Sequence, residues 1–196
     1  MNGVVHDDGL HINAQAAGIE MSGGSASGSI TSAGNGQDPG SVLVFEAYQV
    51  PGKVRFDGTL TWYDLGPDGQ YVATDSWSAL SGSGTINSPR PLFGPIPSGQ
   101  WTLSDFQYRG ERAFTRDGIG FSVDITPDPM YGRSVMRIHP DGPPTGTAGC
   151  IGLTGNAAAL QDFANKISNY LSNYGTMRLI VTGYQQVYMG DIIIKP

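Results

Sequence analysis

Cysteine, histidine and positive charge are all scarce in this sequence. It holds one cysteine and three histidines among 196 residues, and 11 Lys and Arg against 17 Asp and Glu, for a net charge of −6. A single cysteine excludes an internal disulfide, and with it the framework of a small disulfide-stapled domain. The deficit of basic residues argues against nucleic acid or an anionic membrane surface as the main partner, because both attract a Lys/Arg surplus. No apolar run approaches the roughly 20 residues of a membrane-spanning helix, so no membrane span is expected. The opening residues, MNGVVHDDGLHINAQ, have neither a basic n-region nor an apolar h-region. No Sec-type signal is therefore expected, and a site of action outside the cytoplasm would need another export route.

Glycine and proline are plentiful, at 29 and 13 residues. They point to many turns and short strands rather than to a helical bundle, in a chain long enough for one good-sized core. The composition divides the chain into two parts. Residues 1–40 form an N-terminal segment whose second half, Ser22 to Gly40, is small, polar and linker-like. A short hairpin is conceivable before it. His6 and His11 lie there beside Asp7 and Asp8, but their spacing fits no standard metal-ligand pattern, and a solvated segment is the better reading. Residues 41–196 read as one β-rich domain. Strands are expected at 41–50, across Lys53–Leu65 as a hairpin turning at Asp57-Gly58, at Gln70–Ala79, at Gln100–Phe106, within Phe114–Ile125, at Met177–Gly183 and at Val187–Ile194. Gly66 to Gly69 reads as a turn and Ser81 to Pro91 as a loop.

One helix interrupts the strands. From Asn156 to Tyr174, residues Leu160, Phe163, Ile167, Leu171 and Tyr174 recur at helical spacing. Asn156 or Thr154 can cap its start, and Gly175 can end it in a left-handed conformation. The expected fold class is therefore α+β, rich in mixed strands, with one principal helix.

The chemistry concentrates in Arg133 to Leu153, RSVMRIHPDGPPTGTAGCIGL, which contains Cys150 and the one histidine beyond the first dozen residues, His139. An apolar-rich run (Val135, Met136, Ile138) delivers the imidazole, and a Pro/Gly-rich loop can fold the chain back toward the thiol. A thiol attacks only as its thiolate, so it needs a group that takes its proton, and His139 is the candidate base. Gly149, without a side chain, lets the amides of Gly149 and Cys150 point at a developing oxyanion. Asp141 or a backbone carbonyl could orient the imidazole. Arg137, two positions before His139 on the same side of its strand, and then Arg133, are the cations that could hold an anionic substrate. Thr147 either bonds within the turn or meets substrate. Trp101 and Tyr131 read as packing. Beside these readings stand plainer ones: a lone cysteine is commonly a small buried hydrophobe and a lone histidine a satisfied polar residue.

Ile138-His139, followed after a loop by Thr147-x-Gly149-Cys150-Ile151, resembles the active-site motif of L,D-transpeptidases of the YkuD type. Leu92–Thr102 (LFGPIPSGQWT) and Phe56–Asp64 (FDGTLTWYD) are similar to further segments of that domain, so that the likeness spans about Val54 to Val181. The resemblance implies an L,D-transpeptidase-like sandwich of mixed strands over residues 41–196. It implies a cysteine enzyme that acts on peptidoglycan tetrapeptide stems through a Cys150 acyl-enzyme, without metal or cofactor. Ala148 and Gly152 depart from the family, which usually carries histidine and often arginine there, and the His-to-Cys loop is short. These departures look more like the short effector subgroup delivered by type VI secretion. That likeness implies L,D-carboxypeptidase activity with D-amino-acid exchange, a role as an antibacterial toxin in the periplasm of a target cell, and an immunity protein and secretion machinery as partners. The papain and NlpC kinds are disfavoured, since they place cysteine before histidine. The remaining alternative is a non-enzymatic phage or secretion-apparatus β module with a structural cysteine.

Overall fold

The computed structural model describes residues 40–50, 52–85, 94–126 and 136–182. The N-terminal segment before Gly40, Tyr131, Arg133 and the strand expected at Val187–Ile194 lie outside the described residues. In chain order the elements are β1 (Val42–Gln49), β2 (Lys53–Leu65), β3 (Tyr71–Thr85), β4 (Gly99–Tyr108), a 3-10 turn (Arg112–Phe114), β5 (Thr115–Arg116), β6 (Ile119–Thr126), β7 (Met136–Pro140), β8 (Ile151–Leu153), α1 (Ala157–Tyr174) and β9 (Met177–Thr182).

The strands form a single sheet in the order β4-β9-β1-β2-β3-β8-β7-β6-β5, and β4 also pairs with β6. The sheet thus closes on itself as a mixed barrel, with β5 an extra strand hung on β6. The β1–β9 and β7–β8 pairs are parallel; the other pairs are antiparallel. The expected β-rich α+β class with one main helix after Cys150 holds. The two layers expected of a sandwich are here joined into one closed sheet, which leaves fewer unpaired strand edges.

Alternation along the strands sorts the residues onto two faces. Leu43, Phe45, Leu60, Trp62, Val123, Ile125, Ile138, Ile151 and Leu153 lie on the inner face and are buried in one core. The helix completes that core. Phe163 stands edge-on to Trp77 at 5.0 Å between ring centroids and stacks on Phe121 at 5.7 Å, while Tyr170 meets the edge of Trp62 at 5.3 Å. Each large apolar side chain so buried stabilises the fold by about 1.5–3 kcal/mol. The helix ends are those expected: the Asn156 side chain accepts from the Ala159 amide at 3.0 Å, and Gly175 (φ 80°) donates its amide to the Leu171 carbonyl at 2.8 Å. Trp101 is buried, as expected of a packing residue.

Two readings of the β region change. The hairpin turn expected at Asp57-Gly58 is absent, and β2 runs unbroken through it. A Cβ on Gly58 would lie 2.0 Å from the Glu46 carbonyl oxygen and 2.6 Å from Ala47 Cα, so glycine is needed there for the close approach of β1 rather than for a turn. The chain turns at Gly66–Gly69, as expected, where the Gly69 amide donates to the Gly66 carbonyl at 3.0 Å. The loop expected from Ser81 begins later, because β3 continues to Thr85. The small residues from Ser81 onward obscure its alternation in the sequence.

Gly58→Ala tests the first point. It should lower stability by about 1–3 kcal/mol in a urea melt, as overpacking against backbone does; a change within experimental error would show that β1 and β2 can separate without cost.

Candidate active site

His139 and Cys150 belong to neighbouring parallel strands. In the β7–β8 register Ile138 is level with Ile151 and His139 with Gly152. Ile138 and Ile151 face the core, so His139 and Gly152 face outward. One residue before β8, the same alternation puts position 150 on that outer face. Strands are about 4.8 Å apart and advance about 3.3 Å per residue, which places the two Cα atoms on the order of 8 Å apart, within the combined reach of a thiol and an imidazole.

The turn that presents Cys150 is fixed by hydroxyls. Thr147 Oγ1 donates to the Cys150 carbonyl at 2.6 Å and accepts from the Gly82 amide at 3.1 Å, while the Thr147 amide donates to the Gly82 carbonyl at 3.1 Å. From β3, Ser81 Oγ donates to the same Cys150 carbonyl at 2.8 Å and accepts from the Ile96 amide at 2.8 Å. Thr147, Ser81 and Ile96 are all buried. Thr147 is therefore a positioning residue rather than the substrate contact considered from the sequence. Gly149 sits at φ 110°, a backbone conformation that side-chain-bearing residues rarely adopt. Cys150 itself is half-buried.

His139 is 7% exposed. Its Nδ1 lies 2.7 Å from the Pro140 carbonyl oxygen. A carbonyl only accepts, so Nδ1 carries the proton, and in the neutral ring the lone pair is on Nε2. Phe114 stands edge-on to the ring, 4.8 Å between centroids. Burial pulls the imidazole below its ordinary pKa, and the nearby Arg137 guanidinium acts in the same direction; the Pro140 bond opposes them. Both effects favour the neutral ring, which the Pro140 carbonyl holds in one orientation.

Asp141 does not orient it. Its Oδ1 accepts from the Gly146 amide at 3.0 Å and closes the Pro/Gly loop, while Oδ2 is buried without a hydrogen-bond partner among the described residues. Burial raises this carboxyl above its ordinary value. The Gly146 bond, Arg116 and Arg55 oppose that rise, and Asp57 adds to it. The backbone carbonyl, the other orienter considered, is the one the ring meets.

Arg137 faces the His139 side as expected, but its Nε is paired with Asp124 Oδ1 at 2.8 Å and its guanidinium carbon lies 5.8 Å from the centre of the Phe114 ring. Space over Gly152 is tight: a Cβ there would be 3.0 Å from both Asp141 Cβ and Thr147 Cγ2, and those side chains would have to shift slightly to admit it. Ser81, Phe114 and Arg116 join the site from distant parts of the chain and went unseen in the sequence. Their link to the site is the strand register, which no local pattern encodes. Among the described residues no group of three His, Cys, Asp or Glu could hold a metal ion, and no helix is long and apolar enough to cross a membrane.

No protein-family model matches the chain, and comparison with curated proteins gives no match. A functional reading therefore stands on the motif and on the geometry around it.

The His139 environment has a measurable consequence. Its folded pKa lies below the unfolded value of about 6.5, so folding favours the neutral ring. The contribution to stability is complete above about 6.5 and is lost as pH falls through the lower folded value. An NMR titration of the His139 ring should give a midpoint below 6.5; a midpoint above it would mean that the imidazole is held as a cation.

Proposed function

We propose that the protein is a cysteine-dependent peptidoglycan enzyme, an L,D-carboxypeptidase and D-amino-acid-exchanging L,D-transpeptidase acting on tetrapeptide stems. The observation that carries this reading is a buried imidazole, oriented by the Pro140 carbonyl, on the strand that pairs with the one Cys150 leads into. The motif Ile138-His139 with Thr147-x-Gly149-Cys150-Ile151 gives the reaction its class, by resemblance to the YkuD-type L,D-transpeptidases. The closed mixed barrel is assigned to that family's fold on the same ground.

The mechanism follows from the groups in place. His139 Nε2 takes the proton of Cys150. The thiolate attacks the carbonyl at the L-centre of the diaminoacid, forming a C–S bond, and the oxyanion is met by the amides of Gly149 and Cys150. The intermediate collapses with cleavage of the C–N bond, and the departing D-alanine nitrogen receives the proton from the His139 imidazolium. A thioester remains. Water attacks it to release a tripeptide, or the amine of a D-amino acid attacks it to give an exchanged tetrapeptide; in either case His139 takes the proton of the attacking group and Cys150 leaves as thiol. Every step is a proton or acyl transfer, so the chain's own residues supply the chemistry. The likeness to the short effector subgroup extends the proposal to an antibacterial toxin carried by a secretion machine into the periplasm of a target cell and opposed by an immunity protein.

Mass spectrometry of muropeptides after incubation, with and without D-methionine, tests the reading. A tripeptide product is expected from hydrolysis and a mass-shifted tetrapeptide from exchange. Cys150→Ala and His139→Ala should each reduce turnover by at least about a thousandfold, as removal of a nucleophile or its base does, with unchanged circular dichroism. D-alanine release by Cys150→Ala at the normal rate would sink the mechanism.

A further inference from the structure

An imidazole turns about its Cβ–Cγ bond in a broad well, so a single contact leaves the direction of its nitrogens loosely set. In His139 the Nδ1 contact is to the carbonyl of the next residue, Pro140, which belongs to the same strand. The contact from another part of the chain is Phe114, edge-on to the ring at 4.8 Å between centroids. Phe114 is half-buried and ends the 3-10 turn that joins β4 to β5.

Two features fix Phe114 in turn. The backbone around it lies directly against the chain beyond His139. A Cβ on Gly142 would be 2.1 Å from the Arg112 carbonyl oxygen and 2.8 Å from that of Thr115. On the same side, Arg116 Nη1 donates to the Asp141 carbonyl at 3.3 Å. The second feature is a pair of guanidinium groups at the Phe114 ring. The Cζ of Arg109 lies 5.7 Å from the ring centre and that of Arg137 5.8 Å, both within the range of cation–π attraction. Each guanidinium is tied to β6. Arg109 Nε donates to Ser122 Oγ at 2.9 Å, and Arg137 Nε to Asp124 Oδ1 at 2.8 Å. Ser122 and Asp124 are two positions apart and so share one side of β6, while Phe121, Val123 and Ile125 on its other side belong to the core. A line of contacts therefore runs from β6 through two arginines to Phe114, and from Phe114 to the imidazole.

We infer that Phe114 is a positioning residue for His139: clamped by Arg109 and Arg137, it keeps the imidazole turned with Nδ1 on the Pro140 carbonyl and Nε2 as the basic nitrogen. The inference deepens the peptidoglycan reading, in which that nitrogen is the base.

The test follows the His139 ring by NMR, through its nitrogen chemical shifts and its titration midpoint, in the native chain, Phe114→Ala, Phe114→Tyr and Arg109→Met. Cys150 alkylation at pH 7 and D-alanine release from a tetrapeptide muropeptide are measured alongside. Arg109 is the arginine to change, because the charge of Arg137 also acts on the imidazole directly. The native ring should carry its proton on Nδ1. Phe114→Ala should add the Nε2–H tautomer of a free imidazole and, by letting water reach the ring, raise the midpoint toward about 6.5. It should also slow alkylation about tenfold, as misplacement of a catalytic group does. Phe114→Tyr should retain native behaviour, and Arg109→Met should move the ring in the same direction by less. Native shifts and midpoint in Phe114→Ala would overturn the inference whatever happens to the melting temperature, because the contact would then be packing alone. Should Phe114→Ala fail to fold, a native ring in Arg109→Met overturns it instead. D-alanine release with an undisturbed ring leaves the reaction standing without Phe114. A disturbed ring in Phe114→Ala, with no D-alanine released by the native chain, leaves the contact standing and removes the reaction.

Discussion

The carbonyl of Cys150 is held by two hydroxyls, and the placement of the thiol depends on them. Thr147 reaches it from within the turn and Ser81 from the neighbouring strand β3. Each hydroxyl also accepts a backbone amide, from Gly82 and from Ile96. Three segments, β3, the turn at 147–150 and the stretch around Ile96, therefore meet at one peptide group. A buried hydrogen bond of this kind contributes about 0.5–1.5 kcal/mol, and leaving its partner unsatisfied costs about 1–3 kcal/mol. The pinned carbonyl therefore does more for the site than for overall stability: it removes the freedom of a turn that already contains Gly146 at φ 107° and Gly149 at φ 110°. A thiol carried on a glycine-rich turn is thereby held in one place.

The imidazole opposite is set by burial rather than by a carboxylate. Asp141, two residues on, is occupied with the loop, and a main-chain carbonyl fixes the tautomer instead. A neutral imidazole is the form that the proposed reaction would need, since only its free Nε2 lone pair can take a proton from the thiol. Phe114 contributes to the burial of the ring, and the Arg137–Asp124 pair beside it keeps a positive field near the ring without placing a charge on it.

Much of this could be read before the fold was known. The α1 helix, its Asn156 cap and Gly175 stop, and the strands β1, β4 and β9 follow from local pattern. What local pattern could not give depends on register. Asp57-Gly58 has the composition of a turn, yet the glycine serves a close strand approach. Ser81 lies where the sequence suggests a loop, and in the fold it is the second clamp on Cys150. Arg116 is one of 11 basic residues with no local mark, and only the fold brings its Nη1 to the Asp141 carbonyl. Thr147 was visible as a candidate, but its role turned on whether its hydroxyl faced inward.

The proposed chemistry requires that His139 activate Cys150 across β7 and β8. The most direct measurement is the rate of alkylation of Cys150 by iodoacetamide as a function of pH, in the native chain and in His139→Ala. The account predicts a native thiol that reacts at least about tenfold faster at pH 7 than in the variant, whose profile should move toward that of an ordinary cysteine near 8.5. Superimposable profiles would contradict it and return Cys150 to the standing of a structural residue.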